Sequence, residues 1–275
     1  MKNSKKITDE DIIEALENGI KFAEQENVDD PETKKILEDS AKSAKETLES
    51  IRIIQNHNFR ISELIKLGFK EESIILTVTI FEILMKDFFW NSKDDWFYIP
   101  SHQFSELSFD EKLNIRKKIQ KYLTEINLFD EYLRNLYLYQ NFSPNSEIEC
   151  LYETLHKNER KINFQNLTNK NGVKNVYLTF LDIDISMSLD PDPKKSIEKW
   201  NRLNSLIKER HDIIHKGKKS SLKEDQILEI LKSVDSITHS IVRKKYVYVK
   251  SNTEKAISVL ERKFGIKLNH NLGTH

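Results

Sequence analysis

The sequence has few of the residues that interrupt helices or cross-link chains. Its 275 residues include one cysteine, five prolines and six glycines. The single cysteine, Cys150, excludes an intrachain disulfide, and we expect a reducing cytoplasm as its location. Because 32% of the residues are charged and helix breakers are scarce, the composition predicts an all-α protein with short connections between its helices.

Long apolar segments are also lacking. The N-terminal sequence MKNSKKITDED contains no apolar stretch typical of a signal peptide. The longest apolar run, residues 73–90, is interrupted by Glu82, Lys86 and Asp87. It is too short and too charged for a membrane span, so it predicts a buried helix and no membrane partner.

The net charge is zero, but the charges are distributed unevenly. Residues 1–50 contain 8 Lys and Arg against 14 Asp and Glu, a balance of −6, whereas residues 194–275 contain 19 against 9, a balance of +10. A basic region of this kind attracts a polyanion. The alternative is that its lysines only solvate the exposed faces of helices.

Composition and helix signals divide the chain into three predicted parts. Residues 1–57 form an acidic helical extension, residues 58–250 a larger helical domain, and residues 251–275 a basic helix and tail. The predicted boundaries of the helices rest on caps, glycines and prolines. Helices are predicted to start at Thr8, Asp30-Pro31, Lys70, Ser108, Leu128, Val173, Pro193 and Ser221, with Leu67-Gly68 as a helix end.

One polar cluster stands at the end of the helix predicted from Pro193. It runs Arg210-His211-Asp212-Ile213-Ile214-His215 and continues as Lys216-Gly217-Lys218-Lys219. Arg210 and His215 are five residues apart, about 140° around a helix, whereas His211 and His215 share a face. Arginine matches phosphate oxygens and histidine transfers protons near pH 7, so these residue types suit phosphate chemistry.

This cluster resembles the R-x4-6-H motif of the HEPN superfamily of helical ribonucleases and nucleotide-binding modules, in its RiboL-PSP-like branch. The helix–Gly–helix pair around Gly68, the carboxylate Glu82 and the amphipathic helix after the motif resemble the same family. The resemblance covers roughly residues 58–245. It implies a HEPN-type helical bundle, here with extra N-terminal helices and helical insertions.

The resemblance also implies a function and roles for individual residues. It implies a metal-independent endoribonuclease that cleaves RNA by attack of the 2′-OH, of the toxin or antiviral-defence kind. By resemblance, His215 transfers protons, Arg210 clamps phosphate and His211 assists, with Asp212 in a supporting position. Lys216, Lys218 and Lys219 would hold the RNA backbone. No cofactor is implied; the expected partners are RNA, a second copy of the chain and an antitoxin or defence-system protein.

Several alternatives remain open from the residues alone. Glu82 reaches the site and orients Arg210 or a histidine, or it lies on a polar edge of its helix or binds a core arginine. His211 and His215 form a possible Zn²⁺ pair, although the sequence supplies no third ligand. A further alternative is a purely structural motif, in which Arg210 caps backbone carbonyls and His215 is buried. The last alternative is a HEPN module that binds RNA, nucleotide or a partner enzyme without cleavage. The aromatic segment from Trp96 to Tyr98 either stacks on bases or covers the core.

Overall fold

The computed structural model describes residues 13, 14, 16–18, 20, 21, 31–98, 107–139, 146–238, 240 and 241. The prediction of an all-α fold is confirmed, since the described part contains helices and no strand beyond one isolated bridge between Asn163 and Gly172. No helix in the described part is both long and apolar enough to cross a membrane. The α-helices are α1 Pro31–Lys66, α2 Lys70–Trp90, α3 Phe109–Glu125, α4 Phe129–Tyr139, α5 Ser146–Lys157, α6 Val173–Phe180, α7 Pro193–Lys216 and α8, residues 224–238.

The chain divides into two compact units, one of which is Asn58–Ile237 and contains the Arg/His motif. The other contains residues on both sides of that range. The predicted boundary between residues 57 and 58 lies inside α1, which continues unbroken to Lys66. The predicted strand-like segment 245–250 and the predicted helix 253–264 lie outside the described residues.

The predicted turn between α1 and α2 is confirmed. Gly68 has a φ of +83°, in the left-handed region that glycine adopts without a steric cost. Its N–H donates to the carbonyl of Ile65, so the turn satisfies a carbonyl at the end of α1. Helix α2 then runs from Lys70 to Trp90, as its apolar run predicted.

An aromatic cluster fills the core beside α2. Trp96 is fully buried and stacks on Phe89, with ring centroids 4.9 Å apart, and Phe180 packs against both. The hydroxyl of Tyr177 donates to the carbonyl of Met85 at 2.6 Å, which ties α6 to α2. Trp96 and the 8%-exposed Phe97 therefore cover the core, and the idea that these two rings stack on bases is wrong.

Helix α7 begins as predicted but buries a narrower face. Asp192 accepts from the N–H of Lys194, and Pro193 follows at the first helical position. The inner face consists of Ser196, Trp200, Leu203 and Leu206. Helical periodicity predicts Ile197 and Ile214 for the core side of α7, but they are 49% and 47% exposed, because the buried stripe is too narrow to include them.

The start of α8 differs from the prediction. A capping box with Ser221 as the cap would start the helix at Leu222, but its first helical residue is 224. The N–H of Ser221 donates to Glu209, which keeps Ser221 in the preceding turn. The N–H of Lys223 donates instead to the side chain of Gln226, so the cap lies two residues later.

Gly172 is required by a close approach of two backbone segments before α6. A Cβ built at this position would lie 2.5 Å from the carbonyl oxygen of Asn166 and 3.0 Å from that of Asn169. Both contacts are with backbone atoms of a turn that is closed by its own hydrogen bonds, including Gly172 N–H to Asn169 at 2.8 Å. The side chain of any other residue would force this turn open.

We therefore expect Gly172→Ala to destabilise the fold by about 1–3 kcal/mol, the usual cost of overpacking. Urea unfolding followed by circular dichroism measures the change. The matched control is Lys170→Ala, an exposed position in the same turn, for which we expect a change below about 0.5 kcal/mol. Equal stability of the two variants would contradict the close approach.

Candidate functional site

The Arg/His motif occupies the last two turns of α7. Gly217 ends the helix with a φ of +61°, and its N–H donates to the carbonyl of Ile213 at 3.1 Å. This left-handed residue turns the chain sharply after Lys216. As a result the helix end carries His215 and Lys216 on one side of the turn and Lys218 on the other.

Arg210 is tied to α2 by an ion pair. Its Nη1 donates to Oε1 of Glu82 at 2.8 Å, and the two side chains are 21% and 11% exposed. The Nε of Arg210 is buried and has no hydrogen-bond partner among the described residues. One carboxylate thus holds the guanidinium, whose Nε–H is left without an acceptor among the described residues. Glu82 therefore orients Arg210 directly.

Burial raises the pKa of Glu82, and the positive charge of Arg210 opposes that effect. Because burial has the larger effect, the folded chain disfavours the ionised carboxylate despite the attraction of Arg210. Glu82 therefore contributes stability at pH values below its unfolded pKa, and that contribution is lost as the pH rises through its folded pKa. Such a pair is weak evidence for a stabilising role.

His211 and His215 lie side by side on the exposed face of α7. Their ring centroids are 4.5 Å apart and the planes are inclined by 48°. Both residues are exposed, so the interpretation that required a buried His215 is wrong in that respect. Two imidazoles at this separation can act on neighbouring oxygens of one small group.

Asp212 holds two of the three lysines predicted to bind RNA. Its Oδ1 accepts from Lys216 at 2.6 Å and its Oδ2 from Lys218 at 3.0 Å. The side chains of Lys216 and Lys218 are 54% and 59% exposed. These hydrogen bonds lower the pKa of Asp212 to about 2. The carboxylate partly neutralises the basic turn and fixes its two ammonium groups.

Two further carboxylates anchor the basic turn to the helices. The N–H of Ser220 donates to Glu71 at 2.8 Å, and its hydroxyl donates to Glu209 at 2.6 Å. The hydrogen bond from Ser220 is the main reason that the pKa of Glu71 is lowered, and Lys219 adds to the effect. The turn that carries the lysines is therefore fixed at its far end to both α2 and α7.

The described part of the chain contains no group of three or more His, Cys, Asp and Glu side chains that could hold a metal ion. The His211 and His215 pair thus lacks a third ligand from those residue types in that part. Cys150 is buried on α5 and donates weakly to the carbonyl of Tyr132.

The structure brings most of the predicted site residues to one end of α7. Glu82 reaches Arg210, Asp212 reaches Lys216 and Lys218, and the two histidines face each other. Sequence reasoning missed Glu71 and Glu209. No spacing pattern in the sequence marks Glu71. Glu209 stands directly before Arg210, which predicts that it lies near the motif but not that it binds Ser220.

The Glu82–Arg210 pair yields a test of its energetic role. We expect Glu82→Gln to change the free energy of unfolding at pH 7 by less than about 1 kcal/mol, because glutamine resembles the protonated acid that burial favours and still accepts from Arg210. Thermal unfolding measures this, and we expect a shift of the melting temperature below about 4 °C. A drop of about 8 °C or more would show that the pair is principally structural.

The Asp212 cluster predicts a titration that can be measured directly. Carbon-detected NMR should give a pKa for Asp212 of about 2. In the double variant Lys216→Gln and Lys218→Gln the pKa of Asp212 should return toward its ordinary value, because both hydrogen-bonded cations are gone.

The same cluster affects stability. Since the folded pKa of Asp212 is depressed, the stability from this cluster is present above the unfolded pKa and is lost as the pH falls toward 2. An ordinary pKa in the unaltered chain would contradict the cluster.

Comparison of the chain with protein-family models, with curated proteins and with solved structures finds no match in any of the three. The resemblance to the HEPN superfamily therefore rests on the Arg210-to-His215 motif and on the order of the helices around it. The function has to be argued from the site itself.

Proposed function

We propose that the protein is an endoribonuclease of the HEPN type, with Arg210 and His215 as its principal catalytic residues. The observation that carries the proposal is the pair of exposed imidazoles 4.5 Å apart, on the helix that holds Arg210 against Glu82 and next to a fixed lysine turn. General acid–base groups and a phosphate clamp are the parts that cleavage by a neighbouring hydroxyl requires.

In the proposed reaction the 2′-OH of a nucleotide attacks the adjacent phosphorus. A histidine takes the 2′-OH proton as the bond from the 2′-oxygen to phosphorus forms. The bond from phosphorus to the 5′-oxygen breaks, and that oxygen receives a proton from an imidazolium. The products are a 2′,3′-cyclic phosphate and a 5′-OH. His215 is the principal proton-transfer residue, His211 assists it, and Arg210 stabilises the charge on the phosphorane oxygens.

The proposal includes a homodimer. Arg210 and His215 are about 140° apart around α7, so one helix does not present both to a phosphate from one face. Two copies that meet at the ends of α7 would supply an arginine from one chain and a histidine from the other. The biological setting proposed with this activity is a toxin or an antiviral-defence effector, with an antitoxin or defence-system protein as its partner.

The alternative function is a HEPN module that binds RNA, nucleotide or a partner protein without cutting. Two observations favour it. Arg210 already has a carboxylate partner in the free chain, and Asp212 neutralises part of the charge of Lys216 and Lys218. A motif whose cations are internally paired is suited to reversible binding. The experiment below separates the two functions because only one of them generates new RNA ends.

We expect the purified chain to cleave single-stranded RNA in the presence of EDTA and to leave 2′,3′-cyclic phosphate ends. Arg210→Ala and His215→Ala should each lower the rate by about 10²–10⁴, the usual effect of losing one catalytic group. End-labelled RNA resolved on a gel measures rates, and resistance of an RNA with a single 2′-deoxy nucleotide at the cleaved position identifies the nucleophile.

The matched control for loss of a cationic side chain is Arg134→Ala, an exposed arginine on α4 that lies outside the motif and should leave the cleavage rate unchanged. Light scattering should give about twice 32.5 kDa for active samples. Cleavage of the deoxy RNA, or a 5′-phosphate product, would point to water as the nucleophile and would overturn these roles. Full activity of a strict monomer would overturn the shared site.

A further inference from the structure

The exposed side of α2 carries a second group of aromatic and basic side chains, further along the helix than the buried Glu82 that pairs with Arg210. Ile83, next to Glu82, is 52% exposed. Trp90 is seven residues further on, which places it about 20° around the helix and about 10 Å along it from Ile83. Both residues therefore lie on one stripe of α2. Lys86 lies between them, 43% exposed, and pairs with Glu159 at 2.6 Å.

Three rings meet at the end of this stripe. Trp90 contacts Tyr152 and His156 edge to face, with centroids 5.6 Å and 5.2 Å away. Tyr152 and His156 are one turn apart on α5 and stack on each other at 5.6 Å with an angle of 22°. Lys93 adds a cation 5.2 Å from the centre of the Tyr152 ring. We call these four residues, Trp90, Lys93, Tyr152 and His156, the aromatic platform.

The aromatic platform is supported from below and accessible from above. Trp96, which is fully buried, packs against Tyr152 at 5.7 Å and Trp90 at 6.4 Å. His156 is exposed, whereas Trp90 and Tyr152 are partly exposed. The indole N–H of Trp90 is itself buried and has no hydrogen-bond partner among the described residues. Rings held at fixed angles by a buried tryptophan lose little entropy when a flat ligand stacks on them.

The ring faces of the platform suit a nucleobase, and the charges beside them are paired. Lys93 is paired with Glu149 at 3.7 Å and Lys86 with Glu159, so each nearby ammonium group has a carboxylate beside it. A base is neutral and binds through its π-face, and stacking of unpaired bases on aromatic side chains is a general mode of single-stranded RNA recognition.

The contacts between α2 and α7 arrange these features in one order along α2. Glu71 holds the basic turn, Glu82 holds Arg210, Lys86 follows, and the platform begins at Trp90. Glu82, the partner of Arg210, and Trp90 are eight residues apart on α2, which is about 12 Å along the helix axis and about 80° around it. That distance corresponds to about three stacked nucleotides at about 3.4 Å each.

We propose that the aromatic platform is a base-stacking subsite for single-stranded RNA, which holds an unpaired base about three nucleotides from the phosphate at Arg210. The inference rests on the proposed function for the choice of RNA as the ligand. It adds that the substrate is single-stranded along α2, because a paired base has no free face to place on the exposed His156 ring.

The subsite is tested by measuring the binding of a single-stranded RNA 12-mer of mixed sequence. The RNA carries 2′-deoxy nucleotides at the positions that the chain cleaves, so that binding is measured without cleavage. We expect quenching of tryptophan fluorescence, because Trp90 is in the platform while Trp96 and Trp200 are buried. His156→Ala and Tyr152→Leu should each weaken binding by about 5- to 100-fold, the range for loss of one stacked base. With cleavable RNA, KM should rise while the rate at saturation stays the same.

The matched control is Tyr137→Ala, which removes an aromatic ring that is 74% exposed on α4 and outside the platform. It should bind like the unaltered chain, and a duplex of the same RNA should bind equally to all variants. If Tyr152→Leu does not fold, as judged by circular dichroism, His156→Ala and Lys93→Gln decide the result. Unchanged affinity of the folded platform variants overturns the subsite even if the chain cleaves RNA. Platform-dependent binding without cleavage supports the subsite and overturns only the proposed nuclease.

Discussion

The ion pair between Glu82 and Arg210 is the contact on which the candidate site depends. It joins two helices that are 128 residues apart in sequence and places the only charged side chain of the inner face of α2 against the motif helix. Burial disfavours the ionised carboxylate and raises the pKa of Glu82. The hydrogen bond from Arg210 to this carboxylate fixes the position of the guanidinium.

Other carboxylates do the same for the basic residues beyond the helix end. Asp212 fixes Lys216 and Lys218, while Glu71 and Glu209 fix the turn through Ser220. The resting site is therefore both ordered and close to neutral. A polyanion that enters it would exchange partners with the lysines, since their hydrogen bonds to Asp212 are exposed and individually weak. Among the described residues, Arg210, Lys216 and Lys218 each pair with a carboxylate, whereas His211 and His215 contact each other.

Much of the fold was predictable because its signals are local. Gly68, the Ser108 capping box and the Asp192-Pro193 start of α7 each fix a helix end through the chemistry of one or two residues. The exposure of Ile197 and Ile214 was not predictable, because the width of a buried stripe depends on the neighbouring helices and not on periodicity. The later start of α8 had the same origin, since Glu209 on another helix engages Ser221.

The motif predicted the residues of the candidate site, but the sequence predicted only some of the side chains that bind them. A glutamate inside an apolar helix is unusual, so the sequence alone indicates a special role for Glu82. Glu71 lies in the polar first turn of α2, where the sequence does not distinguish it from a solvated acid. The aromatic platform was missed for a related reason. Tyr152 and His156 lie on a different helix from Trp90, and only the packing around Trp96 brings the three rings together.

The central claim is that Arg210 and the His211–His215 pair bind an RNA phosphate together. NMR of the full chain, labelled with nitrogen-15 in arginine and histidine and titrated with a cleavage-resistant single-stranded RNA, tests it most directly. The account predicts that the side-chain signals of Arg210, His211 and His215 shift together and saturate at one RNA concentration. RNA binding that leaves these three signals in place would contradict it, whatever other part of the chain responds.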